Sequence, residues 1–591
     1  MAKRHPYHAG NYAPIHTTLK LRPCPSEGTI PEEFLGGQYV RNGSNPLQVD
    51  TSRGFHWFDG DGMLTGVFFE RIARAPGVRP AFANQYVFTD VHDAVARYPR
   101  LHHVTPSVAT LISPKSSVFL VLVEVVRAMC LIVASLWGLI ARPIRRTSTA
   151  NTSVVHHDGR VLATNETGPP MRVFLPSLKT VGWFTGSRAE GEPTDEKPHP
   201  YFGGPGVEGF FKEMTTAHPH VDPQTQEMFL FHATFLAPFV TYSIIPARSS
   251  FNQTLCLNQP IPGFQGGRIM HDFGVSRKHT VMIDLPVSLD PFNLRRNRPV
   301  VEYNWRGQTR FGVFPRYEPE KVEWYTTAPC MIMHTVNAWD EETFNGTRVH
   351  LLLCRMNSAA PLYHMGGLEA PNITIPESPE CRLYYYQFPP NKENPKQISH
   401  QWALSAIPFE FPHVPHRLQM APTRFVYGNS MRNGDFAEAC ISNFKVECLV
   451  KIDVAALLAR GLADPPSQVD GCVDKRSVAE VLTSDDPNDP IKVFALPDGW
   501  YAQECSFVAR KDGQSEDDGW LVTYVYDESQ LDENGVAPED SQSELWIIDA
   551  LEMKEVVARV LLPQRVPYGM HGNWFPEEQI LGQREVERFR K

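Results

Sequence analysis

Four of the 22 histidines in this chain stand out because each lies in an apolar, strand-like segment beside a turn. They are His218, His271, His334 and His571. A buried imidazole in such a place needs a partner for its ring nitrogens, and a metal ion is one such partner. The residue types therefore indicate metal binding by widely separated imidazoles.

Spacing alone does not establish such a site. No short-spaced pair such as His-x-x-x-His supports it, and taken alone the spacing favours four unrelated core histidines. Residues this far apart in sequence converge only if a closed fold brings them together.

The composition describes a globular protein. The chain has 591 residues, of which 42% are hydrophobic and 21% charged, so disorder is not expected. The net charge of −10 gives no basic footprint, and nucleic acid is not an expected partner. Length alone allows several domains, but one large all-β domain can also account for it. We predict a single domain over residues 1–591.

The cysteines and the first residues indicate a cytoplasmic protein. Ten cysteines are scattered without a Cys-x-x-Cys pair, which predicts reduced, mostly buried thiols. The first eight residues, MAKRHPYH, carry charge but no apolar stretch, so no secretory signal is expected.

Most of the chain is typical of short strands separated by turns. Asp158 and Gly159 lie between two apolar runs and predict a hairpin. Residues 477–483 and 551–557 are the short helix candidates. Many short strands predict an all-β propeller or a large barrel, and the absence of a fixed period excludes regular repeats. Surface loops are predicted at residues 186–205, 461–490 and 511–543, and a solvated helix or frayed end after Phe575.

The segment 117–141 is different, because it is almost entirely apolar and is followed by Arg142, Arg145 and Arg146. Its length suits a membrane span, but Glu124 and Arg127 interrupt it on one helix face. A helix lying in the membrane interface, with the arginines at the headgroups, is the favoured interpretation. A buried core helix is the second alternative and a true span is the third.

Seven motifs, spread nearly end to end, resemble the carotenoid cleavage oxygenases, and fungal members most closely. They lie at residues 37–46, 56–64, 151–152, 217–219, 271–273, 334–339 and 565–572. The resemblance implies a seven-bladed β-propeller with a helical and loop cap, to which we assign the hydrophobic segment 104–146 as a membrane-interacting insertion. It also implies that His218, His271, His334 and His571 bind one Fe(II) on the propeller axis.

The resemblance further implies three glutamates behind the ligands, which match Glu166, Glu410 and Glu504. A metal-bound imidazole uses one nitrogen for the metal, and its other N–H needs an acceptor that fixes the ring. In the family three histidines are held in this way, and the one that matches His218 is not.

The resemblance implies that dioxygen cleaves a carbon–carbon double bond to give two carbonyl products. The apolar segment suggests a membrane-dissolved carotenoid, and similarity to the fungal branch favours torulene cleaved to an apocarotenal. Retinal-forming cleavage of β-carotene, stilbene cleavage, isomerohydrolase-like activity and non-enzymatic carotenoid binding remain alternatives. No Gly-x-Gly-x-x-Gly motif predicts a nucleotide cofactor.

Four aromatic residues are candidates for the substrate tunnel, with plain core packing as the alternative for each. They are Trp137, Phe235, Phe239 and Tyr242. Together these features predict a cytoplasmic enzyme bound at the surface of membranes or lipid bodies through residues 117–141.

Overall fold

The strands form sheets that surround one axis. The computed structural model describes residues 5–49, 54–72, 77–98, 104–139, 143–193, 202–204, 207–250, 255–371, 379–390, 397–441, 444–467, 469 and 471–591. Within these residues, seven sheets of four or more strands make a seven-bladed β-propeller, as predicted.

The first five strands close the propeller together with the last ones. They are β1 (Leu19–Pro23), β2 (Ser26–Gly28), β3 (Gln38–Arg41), β4 (Met63–Arg71) and β5 (Val78–Tyr86).

Blades 1 to 3 follow in chain order. Blade 1 consists of β6 (Ser153–His157), β7 (Arg160–Thr164), β8 (Met171–Phe174) and β9 (Lys179–Trp183). Blade 2 consists of β10 (His220–Val221), β11 (Met228–Ala233), β12 (Val240–Ile245) and β13 (Cys256–Pro260). The next strands are β14 (Gly274–Val275), β15 (His279–Asp284), β16 (Val287–Leu289), β17 (Val301–Tyr303), β18 (Thr309–Pro315) and β19 (Glu323–Thr327). Of these, β14, β15, β18 and β19 form blade 3, and β16 pairs with β17 in a separate ribbon.

Blade 4 includes one strand from the stretch of chain that otherwise forms blade 5. The strands are β20 (Met331–Thr343), β21 (Gly346–Met356), β22 (Cys381–Phe388), β23 (His400–Ser405), β24 (Glu410–His413), β25 (Phe425–Ser430), β26 (Cys448–Asp453), β27 (Cys472–Asp474) and β28 (Ile491–Ala495). Blade 4 contains β20 to β23 and β27, and blade 5 contains β24, β25, β26 and β28.

The chain ends close the ring. The last strands are β29 (Trp500–Ala502), β30 (Ser506–Ala509), β31 (Gly519–Asp527), β32 (Ser543–Asp549), β33 (Val556–Leu561) and β34 (Gly572–Phe575). Blade 6 joins β29 to β33 with the N-terminal β2, and blade 7 joins β34 with β1, β3, β4 and β5. Pairing the first strands with the last two blades removes a free edge between the chain ends.

Turn chemistry and packing explain the blades locally. The predicted hairpin of β6 and β7 is confirmed: Asp158 and Gly159 have φ of 52° and 71°, which suits a tight two-residue turn. Neighbouring blades bury their facing side chains, as where Leu352 and Cys354 of blade 4 share a core with Val426 and Val450 of blade 5. All ten cysteines are free, as predicted.

The helices are short, with one exception. They are α1 (Asp90–Arg97), α2 (Val108–Ile112), α3 (Val118–Leu136), α4 (Val207–Lys212), α5 (Ala360–His364), α6 (Phe436–Ala439), α7 (Val454–Ala463), α8 (Val478–Leu482) and α9 (Glu577–Leu581). The helix predicted over residues 477–483 is confirmed as α8, which Ser477 and Glu480 cap reciprocally. The helix predicted over residues 551–557 is wrong, because a turn there leads into β33.

Two of the predicted loops contain regular structure. The prediction of a loop over residues 511–543 is wrong, because β31 lies in the middle of this segment. The apolar residues of β31 are buried between neighbouring strands. The segment 461–490 contains the end of α7, all of β27 and α8. Part of the third segment, residues 194–201 and 205, lies outside the described residues. After Phe575 the chain forms α9.

Helix α3 presents its apolar side chains outwards. Three of its 19 residues, Val121, Ala128 and Ser135, are buried, which contradicts the alternative of a buried core helix. Trp137, directly after the helix, has 77% of its surface exposed. By length and composition alone, α3 is the one helix in the described part of the chain that could cross a membrane.

The arginines after α3 do not all face outwards. Arg146 is partly buried and forms an ion pair with Glu213, with Nε to Oε2 at 2.9 Å, so the expectation that it meets lipid headgroups is wrong. Arg145 is exposed, whereas Arg142 and residues 140–141 lie outside the described residues.

The segment that carries α3 is attached to the face of the propeller through Asp59. The carboxylate of Asp59 accepts hydrogen bonds from the hydroxyl of Ser107 at 2.5 Å and from the backbone N–H of Val108 at 3.0 Å. These bonds hold the first turn of α2, and α3 begins a few residues later. The apolar helix is therefore fixed to the residues next to Trp57 and Phe58.

Candidate metal centre

Seven residues predicted for the site come from seven different blades. Glu166 follows β7 of blade 1, and His218 and His271 precede the first strands of blades 2 and 3. The rest come from blades 4, 5, 6 and 7 in that order: His334 in β20, Glu410 at the start of β24, Glu504 between β29 and β30, and His571 directly before β34. A propeller brings the inner strand of every blade to one axis, so residues distant in sequence meet there.

The four histidines converge on one point. One ring nitrogen from each of His218, His271, His334 and His571 lies within 4.8 Å of the others. The Nε2 atoms of His218 and His271 are 3.0 Å apart, and those of His334 and His571 are 3.2 Å apart. Ring nitrogens at these separations can all contact one ion at a metal–nitrogen distance of about 2.1 Å.

Each of the three glutamates contacts the far side of one histidine. Glu410 Oε2 lies 2.5 Å from Nδ1 of His334, and Glu504 Oε1 lies 3.0 Å from Nδ1 of His571. Glu166 Oε1 contacts Nδ1 of His271. The structure thus brings together all seven residues and supplies the pairing that the sequence left open.

The donor chemistry of these pairs fits a cation. A histidine that donates its Nδ1 proton to a carboxylate leaves Nε2 with an unshared electron pair. His334 and His571 therefore point electron pairs at each other, and two such nitrogens cannot hydrogen bond to one another. A metal ion at this point would satisfy both, and imidazole is a good ligand for zinc, copper, iron and nickel.

Burial and charge set the protonation of the site. Burial and the three neighbouring imidazoles hold the pKa of His218 well below its ordinary value, and burial lowers the pKa of His571 despite Glu504. Burial also opposes the charged form of His334, but the carboxylate of Glu410 outweighs it and raises the pKa. Burial acts to raise the pKa of Glu166, but the neighbouring imidazole of His271 acts to lower it, and the pKa lies below its ordinary value.

Replacing the carboxylate behind His334 tests this pairing. We expect Glu410→Gln to lower metal affinity or activity about 10- to 100-fold, because the neutral amide is a weaker acceptor for Nδ1–H. Metal content and cleavage rate measure it. The matched control is Glu341→Gln, since Glu341 pairs with His350 at 3.1 Å away from the site. If both variants behave alike, Glu410 does not support the metal.

Phe411 is held in an unusual conformation over two of the histidines. Its φ is 51°, a region that bulky residues rarely adopt. Its backbone N–H donates to Glu410 Oε2 at 2.6 Å, and its ring lies 5.5 Å from the rings of both His334 and His571. Such backbone strain persists only where the surroundings impose it.

The strain at Phe411 predicts a difference between two variants that both remove its ring. Phe411→Gly should be more stable to thermal unfolding than Phe411→Ala by about 1 kcal/mol, since glycine adopts positive φ without a Cβ clash. Thermal melts of the two metal-loaded variants measure this difference. Equal melting temperatures would show that the backbone at residue 411 carries no strain.

An apolar cavity opens beside the histidines. Trp57, Phe58, Phe436 and Phe444 are among its aromatic walls. The other side chains that line it are Thr152, His271, Met333, His334, Met356, Pro361, Met365, Glu410, Phe411, Cys440, Met570 and His571. Its apolar lining disfavours water and suits an apolar group next to the metal-binding nitrogens.

The four aromatic residues proposed for the tunnel do not line this cavity in the described structure. Tyr242 lies in the core of blade 2, where its hydroxyl is 2.8 Å from that of Thr280, and Phe239 packs against the same core. Phe235 contacts Phe211, and Trp137 is exposed at the end of α3.

Several of the residues that do line the cavity could have been predicted from the sequence. Trp57 and Phe58 lie in the motif at residues 56–64, and Met333, Phe411 and Met570 are immediate neighbours of predicted site residues. Their position next to predicted site residues could have identified them, whereas the tunnel residues were predicted from aromatic residues elsewhere in the chain.

Comparisons with known proteins agree with the site. The family model described as retinal pigment epithelial membrane protein matches residues 12–576. The carotenoid dioxygenase carX of Gibberella fujikuroi is 44% identical over 99% of this chain and 91% of its own length.

Solved structures share the fold at low sequence identity. The lignostilbene dioxygenase of Pseudomonas brassicacearum superposes with a TM-score of 0.67 at 19% identity, covering 97% of this chain and 98% of its own. A Synechocystis apocarotenoid oxygenase mutant gives a TM-score of 0.64 at 19% identity, covering 96% and 98%. With a family match over nearly the whole chain, the protein belongs to the carotenoid cleavage oxygenase family and is a dioxygenase enzyme.

Proposed function

We propose that this enzyme uses one Fe(II) per chain, held by His218, His271, His334 and His571, to cleave a double bond of a carotenoid with dioxygen. The observation that carries the proposal is the four-histidine cluster opening onto an apolar cavity. Bound Fe(II) would supply a site at which dioxygen becomes reactive towards an electron-rich double bond.

The side chains of the protein have separate tasks in this proposal. The histidines bind the metal, and Glu166, Glu410 and Glu504 hold three imidazole rings in the orientation and tautomer that binding needs. The apolar walls exclude water and align the polyene so that one bond lies at the metal. No carboxylate is needed among the ligands.

Torulene, cleaved to an apocarotenal, is the substrate we propose. The support is the similarity to the fungal carotenoid dioxygenase carX. Torulene, β-carotene and a stilbene should be offered in parallel to iron-loaded enzyme in detergent. Rapid bleaching of torulene with aldehyde products supports the proposal. Preferential cleavage of β-carotene or of the stilbene would contradict it and assign that compound as the substrate.

Labelled dioxygen separates the competing activities. A dioxygenase incorporates label into both carbonyl products, provided that exchange with water is limited by rapid trapping of the aldehydes. An isomerohydrolase would incorporate none. A carotenoid-binding protein would form a stable coloured complex without turnover or any need for metal.

Metal removal tests the cofactor directly. We expect the enzyme as isolated to contain about one metal ion per chain and a strong chelator to abolish cleavage, because four neutral donors form the whole binding set. Fe(II) should restore activity and Zn(II) should not. Elemental analysis and cleavage rates measure both effects, and full activity of metal-free enzyme would contradict the proposal.

We also propose that the protein is cytoplasmic and binds the surface of membranes or lipid bodies through residues 117–141, within an insertion at residues 104–146. The support is the outward apolar face of α3. Asp59 holds the start of α2 next to Trp57 and Phe58, which line the cavity. A carotenoid leaving the lipid beneath α3 would therefore have a short path to the metal.

A further inference from the structure

A ribbon protrudes from blade 3 and takes no part in the metal site. Between β15 and β18 the chain leaves the blade, and β16 pairs with β17 across the segment 290–300. We call residues 287–306 the blade 3 ribbon. A helical turn over Pro291–Arg296, which Asp290 caps, forms its tip.

The ribbon exposes two aromatic side chains, each covered by an arginine. Phe292 has 64% of its surface exposed, and the guanidinium of Arg295 lies 5.3 Å from its ring centre. Trp305 is 39% exposed, and the guanidinium of Arg306 lies 4.5 Å from its ring centre. An exposed aromatic ring with a cation on it suits a boundary between apolar and polar surroundings.

The ribbon has a positive net charge, whereas the whole protein has a negative one. It carries four arginines, Arg295, Arg296, Arg298 and Arg306, against the carboxylates of Asp290 and Glu302, whereas the chain has a net charge of −10. Asp290 caps the helical turn, and Glu302 pairs with Arg298 at 2.5 Å. Within the described structure neither Arg295 nor Arg296 has a carboxylate partner. Two exposed cations therefore remain beside Phe292.

The ribbon lies next to the segment that carries the apolar helix. Helix α2 packs against β17 of the ribbon, and its Ile112 belongs to the same hydrophobic core as Val287, Val301 and Tyr303. Helix α3 begins at Val118, six residues after Ile112. The basic ribbon and the exposed apolar helix are therefore anchored to one another through α2.

We propose that the blade 3 ribbon binds the headgroups of anionic phospholipids while α3 lies in the lipid. Phe292 would enter the interface, and the guanidinium groups of Arg295 and Arg296 would form charge-assisted hydrogen bonds with lipid phosphates. Continuity with α3 favours a lipid surface over a soluble acidic partner, since α2, which packs against β17 of the ribbon, leads directly into the exposed apolar helix. The inference rests on the membrane association proposed above and adds selectivity for one lipid class.

Vesicle binding by the full-length, metal-loaded protein tests the proposal. Sedimentation is compared for vesicles of phosphatidylcholine alone and of phosphatidylcholine mixed with phosphatidylserine. We expect stronger binding to the mixed vesicles, and a loss of about 10- to 30-fold on them when Arg295→Gln and Arg296→Gln are combined. Binding to neutral vesicles should hardly change, and added salt should weaken only the anionic preference.

A matched double variant controls for net charge. Arg460→Gln with Lys475→Gln removes two exposed cations from α7 and from the turn before α8, and should leave vesicle binding unchanged. Phe292→Ala should weaken binding to both kinds of vesicle. Circular dichroism and cleavage of detergent-dispersed carotenoid confirm that each variant is folded.

Three outcomes overturn the inference. In the first, the ribbon variant binds the mixed vesicles as well as the native protein does. In the second, it loses binding equally on both kinds of vesicle. In the third, soluble heparin abolishes the anionic preference by binding the ribbon more tightly than the vesicles do, which would assign the arginines to a soluble polyanion. If the native protein binds neither vesicle, the membrane association itself fails, while carotenoid cleavage in detergent still tests the proposed chemistry.

Discussion

His334→Ala is expected to abolish both metal binding and carotenoid cleavage. The change removes one of four ligands and leaves the buried carboxylate of Glu410 without its imidazole partner. We expect the cleavage rate to fall at least about 1,000-fold, because the stabilisation supplied by metal chemistry amounts to several kcal/mol. Metal content by elemental analysis and aldehyde yield from a detergent-dispersed carotenoid measure the two effects.

The same sheet offers a matched control. His350 of β21 is as buried as His334, with 6% of each residue exposed, and it also contacts a glutamate, Glu341. It stacks on Trp339, outside the metal cluster. His350→Ala should therefore lower stability without removing the metal. An active, metal-containing His334→Ala enzyme would refute the assigned site.

The motifs predicted the architecture of the site better than spacing could. Taken alone, the four histidines were better explained as unrelated core residues, since nothing in their separation indicates a common axis. Local motifs around each histidine indicated a propeller, and the propeller explains the separation. The pairing of Glu410 with His334 and of Glu504 with His571 required coordinates, because it depends on which blades are neighbours.

The backbone conformation of Phe411 and the direction of the Arg146 side chain could not be predicted from the sequence. Nothing in the residue type of Phe411 indicates a φ of 51°, since phenylalanine ordinarily avoids that region. Its place over two histidines depends on the hydrogen bond from its N–H to Glu410. Likewise Arg146 belongs to a basic cluster in sequence, but its partner Glu213 lies far along the chain.

The order of the site residues has a simple structural origin. From Glu166 to His571, successive site residues come from successive blades, so each blade contributes one side chain near the axis. A change in the angle of one blade would move one ligand or one glutamate without moving its neighbours. This arrangement explains how three carboxylates reach behind imidazoles that are held by other blades.

Helix α3 supports the prediction with the next largest expected effect. Leu122, Val126 and Met129 are each at least 50% exposed and lie on one outward face. Replacing all three by glutamate should lower partitioning into membranes more than about 100-fold, since apolar burial in lipid is lost and charge is added. Membrane flotation and cell fractionation measure this change.

The effect on activity should depend on how the substrate is presented. The triple variant should cleave a carotenoid in detergent at nearly the native rate, because surface substitutions of this kind change stability little. With the carotenoid embedded in vesicles, its rate should fall along with its binding. The control is Phe344→Glu with Leu462→Glu and Leu581→Glu, three exposed apolar residues on other elements.

The contacts of α3 favour a helix that lies in the interface over one that spans the bilayer. Two of its polar residues turn inwards, with Glu124 accepting from the hydroxyl of Thr110 at 3.4 Å and Ser135 accepting from the backbone N–H of Ile144 at 2.8 Å, whereas Arg127 is exposed. A spanning helix would have to break both contacts and expose Glu124 to hydrocarbon, which is costly. Alkaline carbonate should therefore release the native protein from membranes. Retention after that treatment would establish a span, and unchanged partitioning of the triple variant would exclude α3 as the anchor.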